Sequence, residues 1–600
     1  MTRPDPHSYL TDDQPRIRHI DWTAAVDFDH SHLDCVVQVM FDRPGPAAVS
    51  LDTRALDIQA VRTSAGEPVA FEIGPHDKVL GEPLSFTLPD GLDKVSITYA
   101  TSAESTALQW VTPEQTSGGT HHFLYSQCQT IHARSMIPLH DSMSVRLTYT
   151  AHITVPEGYT ALMSADSLGD TPGLPGTRTF EFSAAKPMPP YLVVLLAGHI
   201  ESAEIGPRSR IWAEPAELDA AAWEFVGVEE FVRAGEEVYG PYPWSRADLV
   251  VMPPSYPYGG MENPQLTYLT PTVITGDRSL VDTLSHEIAH HWAGDMVTAT
   301  SMEHFWLNEG FASWGERRMS EAVHGREVAE MHAAVVRTLL DEDLAYFADR
   351  PEHTRLRREM TGVDPDATSS WVSHEKGYLV VRAMEEFVGR ERFDAFVLKY
   401  FKDFAFSSLT TEEFVDYARR ELTNDFDYQE WLYAPGLPDS APRAHAILLE
   451  EVARTGQELP DEETSAHWRA EQWHYYVAQL KTPQDPAFLA RLDEHYGFTT
   501  HRNLDIRQLW ILVGLRSDYA PAVDAAFDMV ARIGRMRFIK PLYDELVDNP
   551  VTRQRAIDAY AVNRPRYHSI AASVVDSRLV KLGIDPENLP VSTPAPTSGQ

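Results

Sequence analysis

Few features constrain a chain of this length as tightly as His286-Glu287-Ile288-Ala289-His290, with eighteen residues separating His290 from Glu309 in Trp306-Leu307-Asn308-Glu309-Gly310. Read as a helix starting near Ser279, the first stretch puts His286 and His290 at i and i+4, so both imidazoles leave one face about one turn apart. Glu309 falls in a second helix-compatible segment and supplies a carboxylate. Two histidines and one carboxylate are three protein ligands with a fourth position left open, the composition of a catalytic rather than a structural zinc site. Glu287 sits beside the pair, unable to bind the same ion comfortably but able to take a proton from water at the open position. The fold must therefore bring these two helices side by side.

HExxH alone is a modest signal, and a third stretch strengthens it. Tyr258-Gly259-Gly260-Met261-Glu262-Asn263-Pro264 lies just upstream. A glycine pair lets backbone run close to a substrate, and the carboxylate that follows can hold a free amine. Together with Gly240-Pro241-Tyr242-Pro243-Trp244, Pro254-Ser255-Tyr256-Pro257 and His304-Phe305-Trp306, the sequence resembles the M1 gluzincin aminopeptidases. The nearest branch is the one that includes leukotriene A4 hydrolase and aminopeptidase B. Ser126-Gln127-Cys128-Gln129 looks like the family's loop from the N-terminal domain, and Gly534-Arg535-Met536-Arg537-Phe538 like the basic pair of its C-terminal domain.

The resemblance implies a role for each matched residue. Zinc on His286, His290 and Glu309 is expected to polarise the scissile carbonyl and to lower the pKa of its bound water to about 7. Glu287 takes that proton and passes it to the leaving amine. Glu262 receives the substrate's α-ammonium with Gln129 beside it, while Gln127, Tyr258, Gly259, Gly260 and Met261 line the substrate. Arg535 and Arg537 take the carboxylate at the far end of a short peptide, since guanidinium pairs with carboxylate through two hydrogen bonds. Asp366 matches the acidic residue with which the family's lipid epoxide hydrolases direct water; it can equally recognise a basic first side chain or cap a turn.

One position departs from the pattern. The family places a tyrosine before Glu-Lys-Gly to stabilise the oxyanion, and here the word is Ser373-His374-Glu375-Lys376-Gly377-Tyr378. Three readings are open: His374 replaces the tyrosine with a shifted pH profile, Tyr378 reaches in from one turn on, or turnover is impaired. The first is favoured.

Composition limits the partners. Against 51 lysines and arginines stand 88 acidic residues, a net charge of −37 that repels nucleic acid and anionic membranes. Two cysteines, Cys35 and Cys128, make no disulfide framework. The start has no apolar h-region, and no stretch approaches eighteen uninterrupted apolar residues. A cytoplasmic monomer acting on short peptides with a free N-terminus is expected.

Three domains are expected. Residues 1–205 read as an all-β domain: apolar and polar residues alternate in Val145 to Thr150 and in Val95 to Tyr99, with Pro and Gly clusters marking turns. Residues 206–436 read as α+β, resembling a thermolysin-like catalytic domain, and open with an amphipathic helix over Ala216 to Gly235. A Pro-rich linker, 437–445, separates it from an all-α helical domain, 446–587. The tail, 588–600, is low in large apolar residues and expected to be disordered.

The function expected is a zinc-dependent aminopeptidase. A lipid epoxide hydrolase, and a zinc peptide-binding protein that has lost turnover, are the alternatives.

Overall fold

The computed structural model of the chain describes residues 5–368 and 370–589. All but Asn588 and Leu589 of the expected tail lies outside them.

The first part is built from strands. A seven-stranded sheet centres on Ile17–Asp27, which pairs antiparallel with His32–Phe41 and parallel with Leu147–Pro156. In Lys94–Ala100 the residues Val95, Ile97 and Tyr99 are buried while their neighbours are half-buried, so the two-residue period that marked the strand also gives it one core face. A four-stranded sheet lies beside it and includes Phe123–Ser126, every residue of which is buried. Gln127 follows at once. The loop bearing Gln127 and Gln129 thus leaves from a fully packed strand.

The middle part carries a five-stranded sheet in the order Glu201–Gly206, Ser209–Ala213, Asp248–Val251, Leu266–Leu269, Gly260–Met261. The division at 205 falls inside the first of these strands. The expected helix over Ala216 to Gly235 is two, Leu218–Phe225 and Val228–Tyr239, broken at Gly227. Glycine is a poor helix residue, and its φ of −85° and ψ of 3° let the chain turn before Val228, Phe231 and Val232 resume the buried face.

The helix Asp282–His290 packs against the longer Trp306–His324, which in turn meets Gly377–Val388. The last crossing is close because of two glycines: a Cβ on Gly310 would lie 2.8 Å from the Gly377 Cα. No side chain fits there, so the stretches bearing Glu309 and Glu375 are held together by bare backbone.

Residues 434–446 form no helix or strand. Helices then run from Ile447–Thr455 to Ser569–Lys581. They enclose two cores, one around Tyr476 and Trp510, the other around Phe538 and Leu546. Leu449 of the first helix packs with Val328, Met331 and Val335, joining this part to the middle part. Among the described residues no helix is long and apolar enough to cross a membrane.

Candidate active site

The histidine helix delivers its side chains as the spacing requires. His286 Nε2 lies 3.0 Å from His290 Nε2, and the two lie 3.5 Å and 3.4 Å from Glu309 Oε2. Ligands at zinc's usual bond lengths around a tetrahedral ion stand about 3.3 Å apart. The outward nitrogens are occupied: His286 Nδ1 meets Glu316 Oε2 at 3.2 Å, and His290 Nδ1 donates to Ala293 O at 2.8 Å. With both Nδ1 atoms carrying protons, both Nε2 atoms present bare lone pairs to each other and to a carboxylate oxygen, an arrangement that a cation relieves. Glu309 Oε2 is buried and has no hydrogen-bond partner. The three residues fit zinc, and among the described residues they are the one group so placed.

Local backbone makes this possible. Gly294 has a φ of +143°, and a Cβ there would stand 2.9 Å from His290 Nδ1. The third histidine of the run, His291, faces away; Tyr242 and Thr267 hold its two nitrogens at 2.7 Å and 3.0 Å, and burial pushes its pKa down to about 3. It stays neutral, as a core histidine.

Glu287 is 6% exposed, and burial raises its pKa to about 7 against the pull of His286 and His290. Burial raises Glu262 too. Glu309 goes the other way: burial opposes its ionisation, but His374, His290 and His286 together hold it far below the usual carboxylate range. The environment thus separates a carboxylate held ionised among the histidines from one whose pKa is lifted toward neutrality.

The glycine pair has two jobs. A Cβ on Gly260 would lie 2.4 Å from Glu287 Oε1, and one on Gly259 would lie 2.7 Å from Arg535 Nη2. Gly260–Met261 is also the edge strand of its sheet, where an extended peptide can add main-chain hydrogen bonds. Glu262 is 4% exposed and accepts from Tyr191 OH at 3.2 Å. Gln127 is locked to this loop, donating to Met261 Sδ at 3.2 Å and accepting from Tyr256 OH at 2.8 Å. Gln129 is half-buried two residues further on. Tyr258 stands close enough to both Asp366 and Glu262 for their charges to act on it.

The helical domain closes the site from the other side. Gly534 N donates to Pro254 O at 2.8 Å and Met536 N to Pro257 O at 2.9 Å, so the main chain around Arg535 is tied to the substrate loop. Arg535 is 7% exposed, donates to Thr272 Oγ1 at 3.0 Å, and is lowered to about 10 by burial. Arg537 pairs instead with Asp505 at 3.4 Å.

His374 sits in one turn of π-helix, Val372–Lys376, in which Gly377 N reaches back to Val372 O. Such turns cluster at functional sites because the extra residue re-aims a side chain. His374 Nε2 stands 2.9 Å from Glu309 Oε2 without the alignment of a hydrogen bond. Tyr378 points elsewhere; its hydroxyl accepts from Arg382 at 2.9 Å and its ring lies under Arg317. Asp366 accepts from Thr130 Oγ1 and from His132 Nε2, each at 2.8 Å.

Sequence reasoning missed Glu316, Tyr191 and His132. Glu316 was findable: it stands two turns after Glu309 on the same helix, hence on the same face. Tyr191 and His132 come from the β-rich part, and no local pattern links them to the zinc helix.

A His2Glu set with two of its three members buried, and two further buried carboxylates beside it, Glu287 and Glu262, make the donor set of a zinc hydrolase. Comparison with known proteins agrees along the chain. Residues 16–192 match the peptidase M1 N-terminal domain, 225–430 the peptidase family M1 domain, and 468–579 the C-terminal domain of leukotriene A4 hydrolase. The leukotriene A-4 hydrolase of Xenopus laevis is 32% identical over 95% of this chain and 98% of its own length. A leucine aminopeptidase 2 of Neosartorya fischeri is 34% identical over 88% of this chain and 90% of its own. The structure of yeast LTA4 hydrolase in complex with bestatin superposes with a TM-score of 0.89 at 29% identity, covering 96% of this chain and 97% of that one. The chain belongs to the M1 family of zinc aminopeptidases, with the C-terminal domain of the leukotriene A4 hydrolase type.

Proposed function

We propose that this chain removes the N-terminal residue from short peptides, working in the cytoplasm as a monomer. One observation carries the reading: Glu262 and Glu287, both buried, lie close enough to the His286, His290 and Glu309 set for the charges of all five to act on one another. Zinc, when held by that set, supplies Lewis acidity to the scissile carbonyl and the attacking water. Glu287 takes the water's proton and returns it to the leaving amine. Glu262 pairs with the α-ammonium, which selects a free N-terminus, because a blocked one would leave the buried carboxylate without its counter-charge. Arg535, beside Gly259, meets the carboxylate of a short peptide. The cytoplasmic setting rests on the sequence, whose two cysteines, Cys35 and Cys128, are both buried and unpaired.

The test is hydrolysis of aminoacyl arylamides and short peptides by the purified protein, as isolated, after chelation and after zinc is restored. Activity is expected to vanish and return with zinc, to be absent on N-acetylated peptides, and to favour free-acid tripeptides over their amides. A protein that binds zinc and peptide but releases no amino acid would instead be the receptor weighed from the sequence. Epoxide opening directed by Asp366 is less well supported, since both oxygens of that residue already accept hydrogen bonds.

His374 is the donor we assign to the developing oxyanion in place of the family's tyrosine, because it lies beside Glu309 at 29% side-chain exposure while Tyr378 is turned away. His374→Ala is expected to lower kcat about 10²-fold. His374→Tyr is expected to retain most of it. Equal rates for all three proteins would remove His374 from the mechanism.

A further inference from the structure

The sequence leaves Asp366 three roles: directing water, recognising a basic first side chain, or capping a turn. Its surroundings give it different work. Both carboxylate oxygens are taken by the N-terminal domain: Oδ1 by the Thr130 hydroxyl and Oδ2 by His132 Nε2, each at 2.8 Å. A carboxylate only accepts, so His132 carries its proton on Nε2 when Asp366 is ionised. Its Nδ1, 2.8 Å from Thr106 Oγ1, then accepts from that hydroxyl when the ring is neutral. His132 is 6% exposed, and the Asp366 side chain 23%. Nearby, His7 Nε2 meets Val363 O at 2.9 Å, so the segment before the π-helical turn is fastened to the N-terminal domain at two points.

The loop so fastened is the one that carries the glutamines. Its inner end is fixed by Gln127 on Met261 and Tyr256, its outer end by Thr130 and His132 on Asp366. Gln129 stands between the two anchors. Asp366 itself lies six residues before Val372, where the turn bearing His374 begins.

We infer that His132 and Asp366 form a clamp between two domains that positions Gln129 for the substrate's α-ammonium, and that neither residue reads the first side chain. This rests on the aminopeptidase reading for its kinetic consequence but not for its structural one. Opening the clamp frees the loop, so amine binding weakens for every substrate alike. The zinc set and Glu287, which the clamp does not touch, keep their turnover.

The experiment compares His132→Leu, His132→Gln, Asp366→Asn and the unaltered protein, with zinc content and melting temperature checked for each. His132→Leu is expected to raise KM about tenfold on arginyl, leucyl and alanyl arylamides alike, the cost of one hydrogen bond to a charged group. kcat and the ranking of first residues should hold. His132→Gln, which keeps an N–H in place of Nε2, is expected to restore KM to within about twofold. Hydrogen exchange over residues 127–131 should speed up in His132→Leu and not in His132→Gln, a readout independent of any turnover. A loss confined to arginyl substrate in Asp366→Asn would overturn the inference and make Asp366 a side-chain receptor. Unchanged exchange and unchanged KM in His132→Leu would overturn it as well.

Discussion

Glu287→Gln is expected to lower kcat about 10³-fold with KM and zinc content nearly unchanged. The amide matches the carboxylate in size, so it still fits against Gly260, where a Cβ would come within 2.4 Å of Oε1. What it loses is basicity. The same residue sets a pH dependence whose sign follows from its task. It must be ionised to accept a proton, so the rate rises with pH through its pKa and is lost as pH falls below it. Burial, with Glu262 and Glu309 nearby, puts that pKa at about 7 against the pull of His286 and His290. A cation on the neighbouring ligands pulls it lower. The acid limb of kcat is therefore expected at or below neutral pH in the unaltered enzyme. The residual rate of Glu287→Gln should lack that limb. Measuring kcat across pH for both proteins checks it; an unchanged limb in the variant would assign the base elsewhere.

Glu262→Gln is the second large effect. Glu262 is 4% exposed and accepts from the hydroxyl of Tyr191 at 3.2 Å, so an incoming ammonium finds there a carboxylate with little competing solvation. Removing one partner of a buried charge pair costs several kcal/mol, so kcat/KM should fall by about 10² to 10³, mostly through KM. Selectivity should fall with it. The unaltered protein is expected to discriminate strongly against N-acetylated peptides, and the variant to discriminate far less. Undiminished rejection of blocked substrates by Glu262→Gln would show that something else reads the N-terminus.

The zinc set was legible because a helix converts spacing into direction: His286 and His290 could be placed on one face from sequence alone. Glu262 was legible as a carboxylate after two glycines, and its role came from the resemblance. The reason for the glycines themselves was only half visible. Sequence says that backbone runs close to something there, but only the folded chain shows Glu287 against one and Arg535 against the other. The helix expected across Ala216 to Gly235 failed at Gly227 because an apolar period carries across a short break without losing its phase. Asp366 shows the deeper limit. Its partners Thr130 and His132 lie more than two hundred residues away, and no local pattern reports that a carboxylate already has donors on both oxygens.

The two main-chain bonds from Gly534 and Met536 to Pro254 and Pro257 make the helical domain one jaw of a caliper, with the histidine helix as the other. A guanidinium on a free loop would swing to meet peptides of many lengths. One anchored by its own backbone to the loop before Gly259 is held at a fixed place relative to the glycine pair. If Arg535 meets the far carboxylate as proposed, peptide length is gauged by how the helical domain is seated on the loop before Gly259. Exchanging that domain for another with the same arginines at a different seating would change which lengths are cut, with every zinc ligand left in place.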